Sequence, residues 1–244
     1  MVDIYTNPDL YDSIHHSYEW DKTLIQAIAK DINGPVLELA SGTGRLAQPI
    51  LELGLQYKGL ELSQPFLDRA KMKFGGVADF ILGDMRDFDL ELEFDLIFIG
   101  FNSFLHNLTI ADAENCLNCV KKHLTTNGKF LVSIFVPDPI FLYREEGKLF
   151  PATDFFQYQK SNCRIMEKNQ YDSISQINQL TWVIERDGEL DLAEYNYRMR
   201  MYYPHEMDIL LSDNGFTIME KFGNYQRDPM DGDSDMQIYV SEPN

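Results

Sequence analysis

Five short apolar runs punctuate the first half of the chain, with amphipathic stretches between them. They are PVLELA (35–40), YKGLEL (57–62), DFILGD (79–84), FDLIFIGF (94–101) and KFLVSIFV (129–136). Strand-length runs that alternate with helical patterns read as a doubly wound, mainly parallel sheet. The helical patterns carry their own start and stop signals. One follows Thr43. Another opens at Ser63 with Pro65 in its first turn, where a missing N–H costs nothing. A third starts at Thr109-Ile110-Ala111-Asp112, which resembles a capping box, and sets Ile110, Ala113, Leu117, Val120 and Leu124 on one stripe before Asn127-Gly128.

After Pro137-Asp138-Pro139 the pattern changes. Leu180, Trp182 and Ile184 alternate before a turn at Asp187-Gly188, and Tyr195, Tyr197, Met199 and Met201 alternate after it, as in an antiparallel hairpin. Pro204 then opens a helix that Gly215 closes, and FTIMEKF and MQIYVS supply two more strands. The expected fold class is α/β, a doubly wound, mainly parallel seven-stranded Rossmann-like sheet. An antiparallel β insertion lies between strands five and six.

The net charge of −18 over 244 residues argues against a nucleic-acid backbone or an anionic membrane as partner, since either repels an acidic surface. No basic patch offsets it; the densest basic run is Lys121-Lys122-His123. A neutral or cationic small molecule suits the charge better. Three cysteines make no disulfide framework, the acidic N-terminus is unlike a signal peptide, and no apolar run spans a bilayer. A cytoplasmic protein, monomeric or homodimeric, is expected.

The stretch Glu38-Leu39-Ala40-Ser41-Gly42-Thr43-Gly44 carries the chemistry. Gly42 and Gly44 allow positive φ and close backbone approach between a strand and a helix. Read as Gly42-Thr43-Gly44-Arg45-Leu46-Ala47, the turn also fits a dinucleotide fingerprint ending in Ala, so it leaves two adenosine cofactors open. Glu38 departs from the second pattern, because a dinucleotide-binding strand is normally apolar there.

With Glu38, the stretch resembles the E/D-x-G-x-G-x-G motif of the class I S-adenosylmethionine-dependent methyltransferases. Gly59-Leu60-Glu61-Leu62-Ser63 and Gly83-Asp84-Met85 resemble two further segments of that family. The resemblance covers roughly residues 35–136 and the last two strands. It departs at Ala40, which stands for the first glycine and is expected at negative φ with slightly less clearance.

The resemblance implies S-adenosylmethionine as cofactor and a role for each matching position. The backbone of Ala40, Ser41, Gly42 and Gly44 lies along the methionine part, and Glu38 organises that end and its ammonium. Glu61 accepts from the ribose hydroxyls, Leu62 packs on adenine, Asp84 accepts from the adenine amino group and Met85 reads the ring edge through its backbone. Asp84 also admits a plainer reading as a turn cap. Phe101 contacts the methionine end through its backbone. Arg45 either binds the methionine carboxylate or is a solvated helix residue. Tyr11 and Tyr18 belong to N-terminal lid helices (1–33) near the cofactor, or else only staple that segment down.

Residues 1–136 and 204–244 then form the cofactor domain, and 137–203 a β-rich cap over the acceptor site. Asn102 and His106, after strand four, are the catalytic candidates. The implied reaction is in-line methyl transfer to N or O of a small molecule, which requires no metal. An amine would suit an aromatic wall of Phe155, Phe156, Tyr158, Trp182, Tyr195 and Tyr197, a set that must also supply the insertion's own core. The alternatives are an NAD-dependent oxidoreductase and a non-catalytic module that only binds S-adenosylmethionine.

Overall fold

In the computed structural model, which describes residues 3–244, helices α1 (Pro8–His15) and α2 (Trp20–Ala29) precede the first strand, β1 (Val36–Leu39). There follow α3 (Ala47–Leu51), β2 (Tyr57–Glu61), α4 (Gln64–Phe74), β3 (Asp79–Leu82), β4 (Phe94–Ile99), α5 (Ile110–His123) and β5 (Leu124–Phe135). Next come α6 (Pro139–Leu142), β6 (Phe150–Pro151), β7 (Phe156–Tyr158), β8 (Ser161–Asp172), β9 (Ile177–Arg186) and β10 (Glu189–Arg200). The chain closes with α7 (Pro204–Asp213), β11 (Phe216–Phe222) and β12 (Met236–Pro243). Among the described residues no helix is long and apolar enough to cross a membrane.

The chain divides into two units. One is Glu19–Val136 with Tyr202–Asn244, and the other joins the residues through Tyr18 to Pro137–Met201. The first holds a seven-stranded sheet of order β11-β12-β5-β4-β1-β2-β3, as the alternation of runs and helices implied. Its strands pair in parallel except β12, which is antiparallel to both β5 and β11. Every β1 residue is buried, because helices cover both faces of a parallel sheet. From β1 the chain winds one way to β2 and β3 and the other way to β4 and β5. This reversal opens a crevice at the carboxyl ends of the central strands, the usual ligand site of such sheets.

Local signals behaved as their chemistry requires. Ser63 Oγ accepts from the Phe66 N–H to cap α4, and Thr109 and Asp112 form the capping box of α5. Two boundaries moved. Gly44 lies at φ +79, outside helical space, so the helix expected after Thr43 starts only at Ala47 and runs five residues. Helix α5 ends at His123 rather than at Asn127-Gly128, because Leu124 is already extended and pairs with Phe94. The ladder between β4 and β5 resumes at Leu96 and Lys129, leaving 125–128 as the intervening bulge.

The second unit is an antiparallel sheet of order β10-β9-β8-β6, with β7 also paired to β8. Asp187 and Gly188, at φ +50 and +92, make the turn between β9 and β10. Leu10 and Ile14 of α1 share a core with Phe156, Tyr158, Ile165 and Tyr195. The segment before Tyr18 therefore groups with the insertion and not with the cofactor sheet, where the sequence had placed 1–33. The signal for this lies in α1's apolar stripe, which names no partner.

Candidate functional site

Parallel pairing sets the carboxyl ends of β1, β2, β3 and β4 along one edge, and the matched segments all lie there. Beyond β1 the chain turns sharply. Ser41 N–H donates to the Leu60 carbonyl at 3.0 Å, and Gly44 N–H to the Ser41 carbonyl at 3.0 Å. Gly42 and Gly44 both take positive φ. A Cβ on Gly44 would lie 3.0 Å from the Phe74 and Phe80 rings, whereas one on Gly42 would meet nothing within 4 Å. Gly44 is thus required by packing, and Gly42 faces open space.

Ala40 corrects an expectation: its φ is +54, not negative. The chain takes left-handed backbone at this position and accepts the strain of a non-glycine residue there, about 1–2 kcal/mol. Ala40→Gly is therefore expected to stabilise the protein by about 1 kcal/mol in urea denaturation, the relief exceeding glycine's extra unfolded-state entropy.

Two carboxylates flank the turn. Glu38 is 4 % exposed and accepts from the Tyr57 hydroxyl; burial pushes its carboxyl up to about 8. Glu61 is 6 % exposed, and its oxygens accept from the Gly42 and Ser63 N–H groups, each at 2.7 Å. Burial raises its pKa too, against the pull of those N–H donors. Glu61 thus ties the end of β2 to the turn and to the start of α4. Next to it, Leu62 is 64 % exposed, an apolar surface at the crevice mouth.

Asp84 takes the plainer of its two readings in these contacts. Its Oδ1 accepts from the Arg86 backbone N–H at 2.9 Å and its Oδ2 from Arg86 Nη2 at 2.6 Å. The guanidinium holds its carboxyl below the usual range. A carboxylate offers about four acceptor positions, and Arg86 takes three of them, its Nε also donating to Oδ1 at 2.9 Å, which leaves one for an adenine amino group. Met85 beside it is half-buried.

Arg45 is neither solvated nor directed to an incoming carboxylate in these contacts. It forks onto Asp21 of α2, Nη1 to Oδ1 at 2.8 Å and Nη2 to Oδ2 at 2.5 Å, and its guanidinium lies 4.9 Å from the Phe101 ring centroid. Asp21 is 1 % exposed, so breaking this pair strands a buried charge. Asp21→Ala is expected to cost about 3 kcal/mol in urea denaturation.

Phe101 and Asn102 follow β4 at φ +50 and +65, two consecutive left-handed residues at the mouth of the site. The Asn102 side-chain carbonyl accepts from the Phe135 N–H at 2.8 Å, tying this corner to β5. His106 is half-buried and ends the short 3-10 turn Ser103–His106. Tyr11 and Tyr18 belong to the other unit, where Tyr11 stacks edge-on against His15 with ring centroids 4.4 Å apart.

Of the six insertion aromatics, Phe156, Tyr158 and Tyr195 are core, Phe155 is exposed, and Trp182 and Tyr197 are half-buried at the core's border. Two further site residues carried no motif. Tyr57 was legible only through strand parity, being two residues before Gly59 and four before Glu61 on the same face. Asp21 had no local signal.

A family model described as a methyltransferase domain matches residues 36–128, the span from β1 into β5. The putative methyltransferase YqeM of Bacillus subtilis (strain 168) is 23 % identical over 216 residues, covering 86 % of this chain and 84 % of its own length. The structure of the CcbJ methyltransferase from Streptomyces caelestis superposes with a TM-score of 0.81, at 23 % identity over 98 % of both chains. The sugar N-methyltransferase KedS8 from Streptoalloteichus sp ATCC 53650 has a TM-score of 0.76 at 14 % identity, over 100 % of this chain and 94 % of its own. The sheet order, the acidic strand ending in a left-handed turn and the family match agree, and they leave the dehydrogenase reading without support. Residues 36–128 carry a methyltransferase domain, and the chain has the fold of S-adenosylmethionine-dependent methyltransferases.

Proposed function

We propose that this protein transfers the methyl group of S-adenosylmethionine to the nitrogen of a small-molecule amine. The observation that carries the cofactor half is the pair of buried carboxylates, Glu38 and Glu61, on either side of a turn held in left-handed backbone. The residues present fit the cofactor. The turn is open at Gly42, Leu62 offers an exposed apolar surface, and Glu61 is a buried carboxylate at the end of β2.

When bound, S-adenosylmethionine supplies an electrophilic methyl on a sulfonium. The chain's own residues bind and orient. Ala40–Gly44 and Phe101 line the methionine end, Glu61 takes the ribose hydroxyls, and Leu62, Asp84 and Met85 take the adenine. Such orientation is worth several kcal/mol of the barrier. Asn102 and His106 serve the acceptor, His106 accepting the proton that an amine must lose.

Support for an amine comes from KedS8, which shares this fold and is a sugar N-methyltransferase.

Two measurements test this function. Calorimetry with S-adenosylmethionine is expected to show binding at one site. Labelled methyl donor incubated with a pool of small amines is expected to label an amine and not its N-acetylated counterpart. Binding with no transfer to any acceptor would instead indicate a non-catalytic module, and no binding would refute the cofactor.

A further inference from the structure

The underside of the turn holds a buried hydrogen bond that the family motifs do not contain. Register pairs Val36 with Tyr57 and Glu38 with Gly59, so the Tyr57 ring rises along one sheet face toward the Glu38 carboxylate. Its hydroxyl donates to Glu38 Oε2. Both side chains are 4 % exposed, and the Tyr57 ring packs on Phe80 with centroids 5.6 Å apart. Gly59 leaves the room: a Cβ there would lie 2.7 Å from Ser41 Oγ and from the Phe80 ring. That Ser41 hydroxyl is itself buried beside the Tyr57 phenol.

The charged groups facing Glu38 come from three elements: Arg45 of the turn, Asp21 of α2 and Glu61 of β2. The single cation among them, Arg45, is already forked onto Asp21. Glu38 therefore has a neutral donor as its hydrogen-bond partner, and the one cation that attracts its charge is shared with Asp21. An ionised carboxylate in such a place is costly, so it keeps its proton until a cation arrives.

Resting on the cofactor reading above, we propose that Tyr57 is a positioning residue for cofactor capture: its phenol holds the Glu38 carboxyl in line, and seating the ligand's α-ammonium there releases the Glu38 proton to solvent. The balance is simple. The carboxylic acid becomes carboxylate, one proton passes to buffer, and the ammonium keeps its charge. No covalent bond to the ligand forms or breaks.

The test uses S-adenosylhomocysteine, which carries the same amino-acid end and cannot react. Calorimetry at pH 6.5 in two buffers of different ionisation enthalpy is expected to show release of about one proton per ligand bound. Glu38→Gln is expected to release none. Tyr57→Phe removes the donor that favours the ionised form. Its affinity is expected to fall about tenfold at pH 6.5, and the deficit is expected to shrink to about twofold at pH 9.

In the ligand-free protein, a side-chain carboxyl carbon resonance of Glu38 is expected to titrate about one unit higher in Tyr57→Phe than in the wild type. Binding without proton release, or a Tyr57→Phe deficit equal at both pH values, would overturn the proposal while leaving the cofactor reading intact. Absence of binding by the wild type would overturn both.

Discussion

Glu61→Ala is expected to weaken S-adenosylmethionine binding at least 100-fold, below the range of ordinary calorimetry. Two effects of the same truncation add. The carboxylate that we propose for the ribose is lost, and hydrogen bonds to a charged acceptor are worth about 1.5–3 kcal/mol each. The Gly42 and Ser63 N–H groups, both now held by Glu61 at 2.7 Å, also lose their partner. The turn is then no longer tied to β2. Glu61→Gln separates these effects: it retains one acceptor oxygen and the shape, so the fold is expected to persist with binding reduced about tenfold or more. An unchanged dissociation constant in Glu61→Ala would remove this residue from the site.

Glu38→Gln is expected to reverse its effect on stability with pH. In the folded, ligand-free protein burial pushes the Glu38 carboxyl up to about 8, whereas in the unfolded chain it titrates near its ordinary value of 4.5. Between those values the native state holds a proton that the unfolded chain has lost. Stability from this group is therefore present at pH 4.5 and falls as pH rises toward 8, then levels off.

A shift of this size corresponds to on the order of 3–5 kcal/mol. Glutamine keeps the acceptor for Tyr57 and cannot ionise. The difference in unfolding free energy, variant minus wild type, is thus expected to grow by about that amount between pH 5 and pH 8.5, in the variant's favour. The same variant is expected to bind S-adenosylmethionine about 100-fold more weakly at pH 8, having lost the charge that faces the ammonium. A flat difference across the pH range would show that Glu38 is ionised in the ligand-free protein.

These predictions draw on different kinds of information. Glu38, Glu61 and the two turn glycines could be read from the sequence because a strand followed by a tight turn constrains residue type locally. Gly44 has rings against its Cα, and Glu61 must end a strand. Asp84 was legible as a cap for the same reason, since an Asp two residues before an N–H donor satisfies its own turn. Tyr57 and Asp21 were not. Their partners, Glu38 and Arg45, lie 19 and 24 residues away, and nothing in the intervening sequence states the register that joins them.

Ala40 shows a subtler limit. The residue type argued for negative φ, and the surrounding structure overrode it: Ser41 bonds to Leu60, Glu61 to Gly42, and the turn closes only with Ala40 left-handed. The N-terminal helix failed to be placed for a related reason. Leu10 and Ile14 make an apolar stripe that fits any apolar surface, and the β insertion rather than the cofactor sheet supplied it.

By itself the sequence determined the strand–helix alternation, the hairpin at Asp187-Gly188 and the residues that border the cofactor turn, because each depends on periodicity or on the backbone freedom of a few adjacent residues. The tertiary structure decided which buried charges have partners. Arg45 went to Asp21 and Asp84 to Arg86, while Glu38 took a neutral phenol as its hydrogen-bond donor. That outcome depends on the free energy of burying charges next to side chains brought in by other elements, a quantity that no local stretch of sequence contains.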